Sequence, residues 1–143
     1  MAKVEKTITI NAPVEKVFAF MEDPANLPAI WPSMVEVKNI KPEPAGGYNY
    51  DWIYKMGGMH IEGSSKTAEY EQNKRLVDKS SKGIESEFTW IYQPEGGGTK
   101  LTVEVAYKVP VPVLGKLAES LIVKMNEREA DTLLHNLKSI MEA

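Results

Sequence analysis

The chain has 143 residues, the usual size of one domain and enough to bury a core without cross-links. It contains no Cys, which excludes disulfides, thiolate nucleophiles, iron–sulfur clusters and thiolate zinc sites. The net charge is −3, with 17 basic and 20 acidic residues interspersed. Because no basic stripe is available for phosphates, we predict that nucleic acid is not a partner.

The pattern of the N-terminal residues predicts a cytoplasmic protein. Its first ten residues alternate polar and apolar side chains, unlike the continuous apolar run of a signal peptide. No stretch approaches the roughly 18 apolar residues of a membrane span, so we expect a soluble chain with no integral membrane segment. Since no repeat, low-complexity tract or linker interrupts residues 1–143, we predict a single domain and leave its oligomeric state open.

The first third of the chain predicts a strand, two short helices and a second strand. The first strand runs from Val4 to Ile10, and Pro13 suits the start of a helix. The segment from Val14 to Met21 carries apolar residues at the three/four spacing of one buried helix face. Two prolines between Asn26 and Ser33 predict a second short helix or an irregular cover. Alternation typical of a strand resumes from Met34 to Ile40.

A pair of glycines, Gly57-Gly58, separates two alternating runs and predicts a two-residue hairpin. If Met56 pairs with Met59, period-two alternation sets the register of both strands. One face then carries Tyr54 opposite Ile61, Trp52 opposite Gly63, and Tyr50 opposite Ser65. Because a large indole opposite a glycine suits a crowded concave surface, we predict that this face points inward.

A second hairpin is predicted around the loop Glu95–Gly98. Its register places every bulky residue on one side, as expected for an antiparallel sheet with one buried face. The predicted pairs are Tyr92 with Leu101, Trp90 with Val103, and Phe88 with Val105.

Between these hairpins, residues 64–81 predict two more strands that turn at Asn73-Lys74. The parity of the first hairpin would point Ser65 and Thr67 inward and Tyr70 outward. A β-bulge near Gly63 would reverse this assignment, so the register of this segment stays open.

The last quarter of the chain changes from period two to helical spacing and predicts one long helix from about Leu114 to Met141. At about 1.5 Å per residue such a helix crosses a whole domain. Leu117, Leu121 and Met125 form a stripe that we predict to face the sheet. The later apolar residues lie on a face rotated from this stripe, which indicates that the two halves contact different things.

The order of these elements, together with four segments, resembles the START-like (SRPBCC) superfamily, which includes polyketide cyclases, birch-pollen-allergen relatives and the G-subunit proteins of carbon-monoxide dehydrogenase. The resemblance covers nearly the whole chain and implies an α+β helix-grip fold, in which a curved antiparallel sheet of six to seven strands wraps a long C-terminal helix. It also implies a cavity between sheet and helix. The segments are Ile10-Asn-Ala-Pro-Val-Glu-Lys-Val-Phe18, Asp23-Pro24 with Ile30-Trp-Pro-Ser-Met-Val-Glu-Val37, Gly47-Tyr-Asn-Tyr-Asp-Trp52, and Leu114-Gly-Lys-Leu-Ala118.

No catalytic residue can be nominated from the sequence. His60 and His135 are the only imidazoles, and neither has the spacing of a metal site, so we predict no metal and no cofactor. His60 falls on the outward face of its hairpin, where a solvated side chain is expected. The pairs Ser64-Ser65 and Ser80-Ser81 lack the glycine-flanked elbow of a hydrolase nucleophile.

The aromatic residues on the predicted inner face indicate a ligand pocket, with ordinary core packing as the alternative. Tyr and Trp have polar groups that need partners when they are buried, so several together often mark a pocket. Arg128 continues the helix stripe and is a candidate for lining or closing the pocket, with a surface salt bridge as its alternative. The predicted ligand-binding residues are Trp31, Tyr50, Trp52, Tyr54, Met59, Ile61, Phe88, Trp90, Tyr92, Tyr107, Leu117, Leu121, Met125 and Arg128.

Two classes of function fit this pocket. The first is a module that sequesters or delivers a small apolar or aromatic molecule. The second is a polyketide cyclase or dehydratase that folds a reactive chain in the same cavity, with acid/base help from a Tyr, Glu or Arg. The lack of an internal His and of paired carboxylates favours the binding module. A third possibility, recruitment of a redox enzyme to a membrane, would need an anchor that the sequence does not display.

Overall fold

The computed structural model describes residues 2–110 and 119–143. Seven antiparallel strands form one sheet, in the order β1-β7-β6-β5-β4-β3-β2. The strands are β1 (Ala2–Ile10), β2 (Met34–Pro42), β3 (Tyr48–Met56), β4 (Met59–Glu71), β5 (Arg75–Lys82), β6 (Ser86–Glu95) and β7 (Gly98–Tyr107).

The two short helices lie where the sequence predicts them. Helix α1 (Val14–Glu22) and helix α2 (Leu27–Ile30) follow β1, with a 3₁₀ turn (Pro24–Asn26) between them. The long helix α3 (Glu119–Glu142) contacts α2 and β1, and its apolar face joins the core of the sheet. The predicted helix-grip architecture is therefore confirmed. The predicted helix start near Leu114 lies outside the described residues.

The first hairpin has the predicted register. Met56 pairs with Met59, and Trp52 faces Gly63 on the buried side of the sheet. A methyl group at Gly63 would overlap the Trp52 indole and the backbone carbonyl of Lys82. The glycine is therefore required by the close approach of the indole, which explains why the largest side chain of β3 lies opposite the smallest one of β4.

The second hairpin also has the predicted pairs, including Trp90 with Val103 and Phe88 with Val105. Its turn is shorter than the predicted four-residue loop, because pairing continues to Glu95 and Gly98 and leaves only two glycines in the turn. Gly96 has a φ of 54° and Gly97 a φ of 84°, a left-handed conformation that glycine adopts without strain.

The register between β4 and β5, which the sequence leaves open, contains two irregularities. Thr67 pairs with Asp78 and Tyr70 pairs with Leu76, so the intervening part of β4 is one residue longer than its partner. This bulge shifts the parity after Thr67, which lets both Thr67 and Tyr70 face inward. The chain turns around Asn73, whose φ of 62° is left-handed, at the predicted place.

The face of α3 that contacts the sheet differs from the predicted one. Leu121 is 61% exposed and Met125 is 48% exposed, whereas Ile122 is buried. At 3.6 residues per turn, a shift of one residue rotates the face by about 100°. The buried face is continuous with the later stripe that includes Leu133 and Leu137, so the whole helix presents one face to the core.

His60 is exposed beside Lys55 on the outer face of the first hairpin, as predicted. Replacing His60 with Ala is expected to change the free energy of unfolding by less than about 0.5 kcal/mol, because a solvated surface side chain loses few contacts. Urea unfolding of both proteins measures the difference. A loss above about 2 kcal/mol would mean that this side chain is packed in the folded protein.

Candidate functional site

A cavity of about 100 Å³ lies between the concave face of the sheet and α3. All seven strands contribute to its wall, and side chains of α1, α2 and α3 close the other side. Most of the lining is apolar, with a small number of polar groups that converge on the space. This combination is typical of a small-molecule site.

Half of the predicted site residues line this cavity. They come from the segment after α2 and from strands β3, β6 and β7 of the concave face. The lining residues are Trp31, Tyr50, Trp52, Tyr54, Phe88, Trp90 and Tyr107. The three tryptophans of the chain are all in this set.

Three predicted residues of the sheet lie outside the lining. Met59 is 42% exposed beside the hairpin turn, and Ile61 is half-buried next to it. Tyr92 is buried, but its ring packs edge-on against Phe18 of α1 with the ring centroids 5.0 Å apart. Strand alternation predicts the face of a residue correctly but does not predict which part of that face the helices cover.

The helix residues of the predicted site are placed wrongly by one position. Leu121, Met125 and Arg128 are exposed and do not line the cavity. The lining residues of α3 are instead Asn126, Glu129, Ala130 and Leu133. Apolar periodicity misses this face because two of the inward residues are polar. The predicted contribution of Leu117 lies outside the described residues.

At the α3 side of the cavity, four side chains form a hydrogen-bonded chain. Trp31 donates its Nε1–H to the Tyr54 hydroxyl over 3.3 Å, and that hydroxyl lies 3.5 Å from Asn126 Oδ1. Asn126 Nδ2 then donates to the Tyr107 hydroxyl over 3.1 Å. Burial raises the pKa of Tyr54 to about 12, so its phenol stays protonated at neutral pH. These contacts fix the ring orientations at this side.

On the opposite side, two carboxylates, Glu22 and Asp78, reach the lining. We call these two residues, together with Tyr50, Thr67 and Tyr92, the acidic cluster. Thr67 Oγ1 donates to Asp78 Oδ1 over 2.9 Å. Burial raises the pKa of Asp78 to about 6, and the Thr67 hydrogen bond opposes part of that rise. Glu22, the last residue of α1, accepts a hydrogen bond from Tyr70 over 2.6 Å.

Two buried phenols complete the acidic cluster. Burial raises the pKa of Tyr50 well above its usual range, and the nearby charge of Asp78 adds to the rise. The pKa of Tyr92 is raised in the same way by burial, then by the charges of Asp78 and Glu22. Within residues 2–110 and 119–143, the Tyr92 hydroxyl is the one buried side-chain polar atom without a hydrogen-bond partner. The cluster is therefore not satisfied internally.

Sequence reasoning misses Asp78 as a site residue, although a signal is present. Leu76, Asp78 and Ser80 alternate along β5, and Leu76 pairs with the inward Trp90. Asp78 pairs with Phe88 and must therefore share the inner face. The open register of this segment, together with the assumption that inward positions are apolar, hides that conclusion.

Neither a metal cluster nor a membrane-spanning helix is found in the described ranges. Among residues 2–110 and 119–143, no group of three or more His, Asp or Glu side chains is arranged to hold a metal ion. No helix in the same part of the chain is both long and apolar enough to span a membrane.

A seven-stranded antiparallel sheet that wraps a long C-terminal helix over a small cavity defines the START-like class of helix-grip proteins. The family model described as polyketide cyclase / dehydrase and lipid transport matches residues 1–142. The chain therefore belongs to this family. Among curated proteins, none matches the chain.

Three solved structures share the fold over almost their whole length. TTHA0849 from Thermus thermophilus is 25% identical with a TM-score of 0.74, and the match covers 96% of this chain and 94% of that one. The Zhui aromatase/cyclase from Streptomyces sp. R1128 is 15% identical with a TM-score of 0.82, covering 98% and 93%. A third structure, Ara h 8.0201, is 14% identical with a TM-score of 0.68, covering 97% and 96%.

Proposed function

We propose that this protein binds a small, mainly apolar molecule in the cavity between the concave sheet and α3. The observation that carries the proposal is the lining itself, which combines aromatic walls with polar groups at two opposite sides. A core serving packing alone would have no need for converging carboxylates, since buried charge without a partner costs free energy.

The size of the cavity limits the ligand. A cavity of about 150 Å³ accepts benzene, and pockets for drug-sized ligands measure about 300–1,000 Å³. The cavity of this protein, at about 100 Å³, is smaller than both. Binding of one aromatic ring therefore requires modest widening, and a larger ligand requires movement of the covering helices.

The three tryptophans provide a direct test, because each lines the cavity. Ethylbenzene titrated into ¹⁵N-labelled protein is expected to shift all three indole N–H signals saturably. Replacing Ala130, a lining residue of α3, with Phe places a ring in the cavity and is expected to abolish these shifts.

Leu121→Phe is the matched control, because it adds a ring to the exposed face of the same helix. It is expected to bind ethylbenzene as the unchanged protein does. If ethylbenzene causes no saturable shift, or if Ala130→Phe binds it equally well, the cavity is not the binding site.

A cyclase or dehydratase activity is the second candidate, and Asp78 is the observation that favours it. A carboxyl with a pKa of about 6 can give or take a proton near neutral pH, which suits general acid/base catalysis. The proposed enzyme would turn over an aromatic or polyketide-like substrate, and Asp78→Asn would lose turnover while ethylbenzene still binds. Unchanged turnover in that variant would exclude this role of Asp78.

A further inference from the structure

The polar groups at the two sides of the cavity differ in charge. The α3 side is built mainly from the neutral chain of Trp31, Tyr54, Asn126 and Tyr107. Its one carboxylate, Glu129, accepts a hydrogen bond from the backbone of Ser33 over 2.6 Å and so has a partner. The acidic cluster brings two carboxylates to the lining, of which Glu22 accepts a hydrogen bond from Tyr70 and Asp78 accepts one from Thr67.

The acidic cluster has no cationic partner in the described part of the cavity wall. The lining residues include no Lys, Arg or His. Asp78 accepts one hydrogen bond, from Thr67 to Oδ1, and no other side chain in the described ranges is bonded to its second oxygen. A partly buried carboxylate without a counter-charge favours the arrival of a positive group or a hydrogen-bond donor.

The Tyr92 hydroxyl is an independent sign that the cluster is incomplete. The side chain is 2% exposed, and the charges of both Asp78 and Glu22 act on its phenol. Despite this proximity, the hydroxyl makes no hydrogen bond within the described part of the chain. Buried polar groups in folded proteins are nearly always paired, so an orphan beside two cavity carboxylates points to a ligand group that rearranges the cluster on binding.

We infer that the acidic cluster selects a ligand whose apolar body ends in a protonated amine, with Asp78 as its main partner. This inference rests on the proposed binding function and adds the chemical class of the ligand. Anionic ligands such as carboxylates are disfavoured at the same place, because they would add a third negative charge next to Asp78 and Glu22.

Four probes of similar size separate the contributions of apolar contact, neutral hydrogen bonding, positive charge and negative charge. They are ethylbenzene, benzyl alcohol, benzylamine and benzoate, in that order. Benzylamine is expected to bind at pH 7 at least about tenfold more tightly than ethylbenzene, with benzoate weakest. Benzyl alcohol, a neutral donor, is expected to lie between benzylamine and ethylbenzene. The indole N–H shifts of the three tryptophans measure all four affinities.

The affinity for benzylamine is also expected to rise about tenfold from pH 5 to pH 7, as the Asp78 carboxyl loses its proton with a pKa of about 6. Thr67 of β4 is hydrogen-bonded to Asp78, and the Asp78 charge acts on the phenols of Tyr50 of β3 and Tyr92 of β6. Glu22 of α1 acts on the same Tyr92 phenol. Both tyrosines have raised pKa values and stay neutral in this range. Ethylbenzene, which has no charge, is expected to show little pH dependence.

Asp78→Asn is expected to reduce the preference for benzylamine over ethylbenzene to less than about threefold and to remove its pH dependence. Glu104→Gln, an exposed change on the outer strand face, is the matched control. It is expected to keep both the preference for benzylamine over ethylbenzene and the pH dependence of that preference. If ethylbenzene binds but benzylamine binds no better, the inference is wrong and the proposed function stands. If no probe binds, both are wrong.

Discussion

Replacing Asp78 with Asn is expected to raise the free energy of unfolding at pH 7.5 by about 2–3 kcal/mol. The carboxyl has a pKa of about 6 in the folded chain against an ordinary value of 3.8. The folded state therefore binds this proton more tightly, and stability is lost as the pH rises from about 4 to about 6. Asparagine carries no charge at any of these pH values and keeps an oxygen that can accept from Thr67.

Urea unfolding of both proteins between pH 4 and pH 7.5 measures this difference. The difference in unfolding free energy between Asp78→Asn and the unchanged protein is expected to be largest above about pH 6.5 and to shrink towards zero at about pH 4. Carboxyls with lowered pKa values, such as Asp51 and Glu142, are present in both proteins and cancel in the comparison. A variant that is less stable at pH 7.5 would show that the Asp78 charge is satisfied in the folded protein.

Most of the sheet could be predicted from the sequence because two local rules act together. Alternation fixes which residues share a face, and a two-residue glycine turn fixes the register. The first hairpin satisfies both conditions at Gly57-Gly58. The second is predicted with a four-residue loop, Glu95–Gly98, whose centre is the observed turn Gly96-Gly97, so the predicted pairs are the same. The β4–β5 pair does not satisfy both conditions, because bulges change the parity within each run, and no local pattern marks where the extra residue lies.

The predicted helix face is wrong for a reason connected with the site. Asn126 and Glu129 face inward, where they bind the Tyr107 hydroxyl and the Ser33 backbone. Hydrophobic periodicity assumes that inward positions are apolar, so it selects the neighbouring stripe of Leu121 and Met125 instead. Departures from the apolar pattern are expected at functional sites. The same assumption hides Asp78, a charged residue on a buried strand face.

The contact between Trp52 and Gly63 joins the fold to the cavity. The indole of Trp52 lines the cavity, and its Nε1–H donates to Ser65 Oγ over 2.9 Å. Gly63 leaves the space into which the indole extends, with the backbone of Lys82 on the same side. Any side chain at this position must move either the indole or the backbone of β5, and the backbone is held by strand pairing.

Gly63→Ala is therefore expected to lower the free energy of unfolding by about 3 kcal/mol, because its methyl group overpacks the core against ring and backbone atoms. Urea unfolding measures the loss, and the Trp52 indole N–H signal should shift even where the fold survives. Gly58→Ala is the control, because its methyl group would meet nothing within 4 Å. Only the left-handed φ of 79° opposes this change, and it is expected to lower the free energy of unfolding by about 1 kcal/mol. Because Gly63 does not have a left-handed φ, backbone strain does not contribute to its loss. A loss in Gly63→Ala no larger than that in Gly58→Ala would mean that the indole moves aside at little cost and does not require a glycine at position 63.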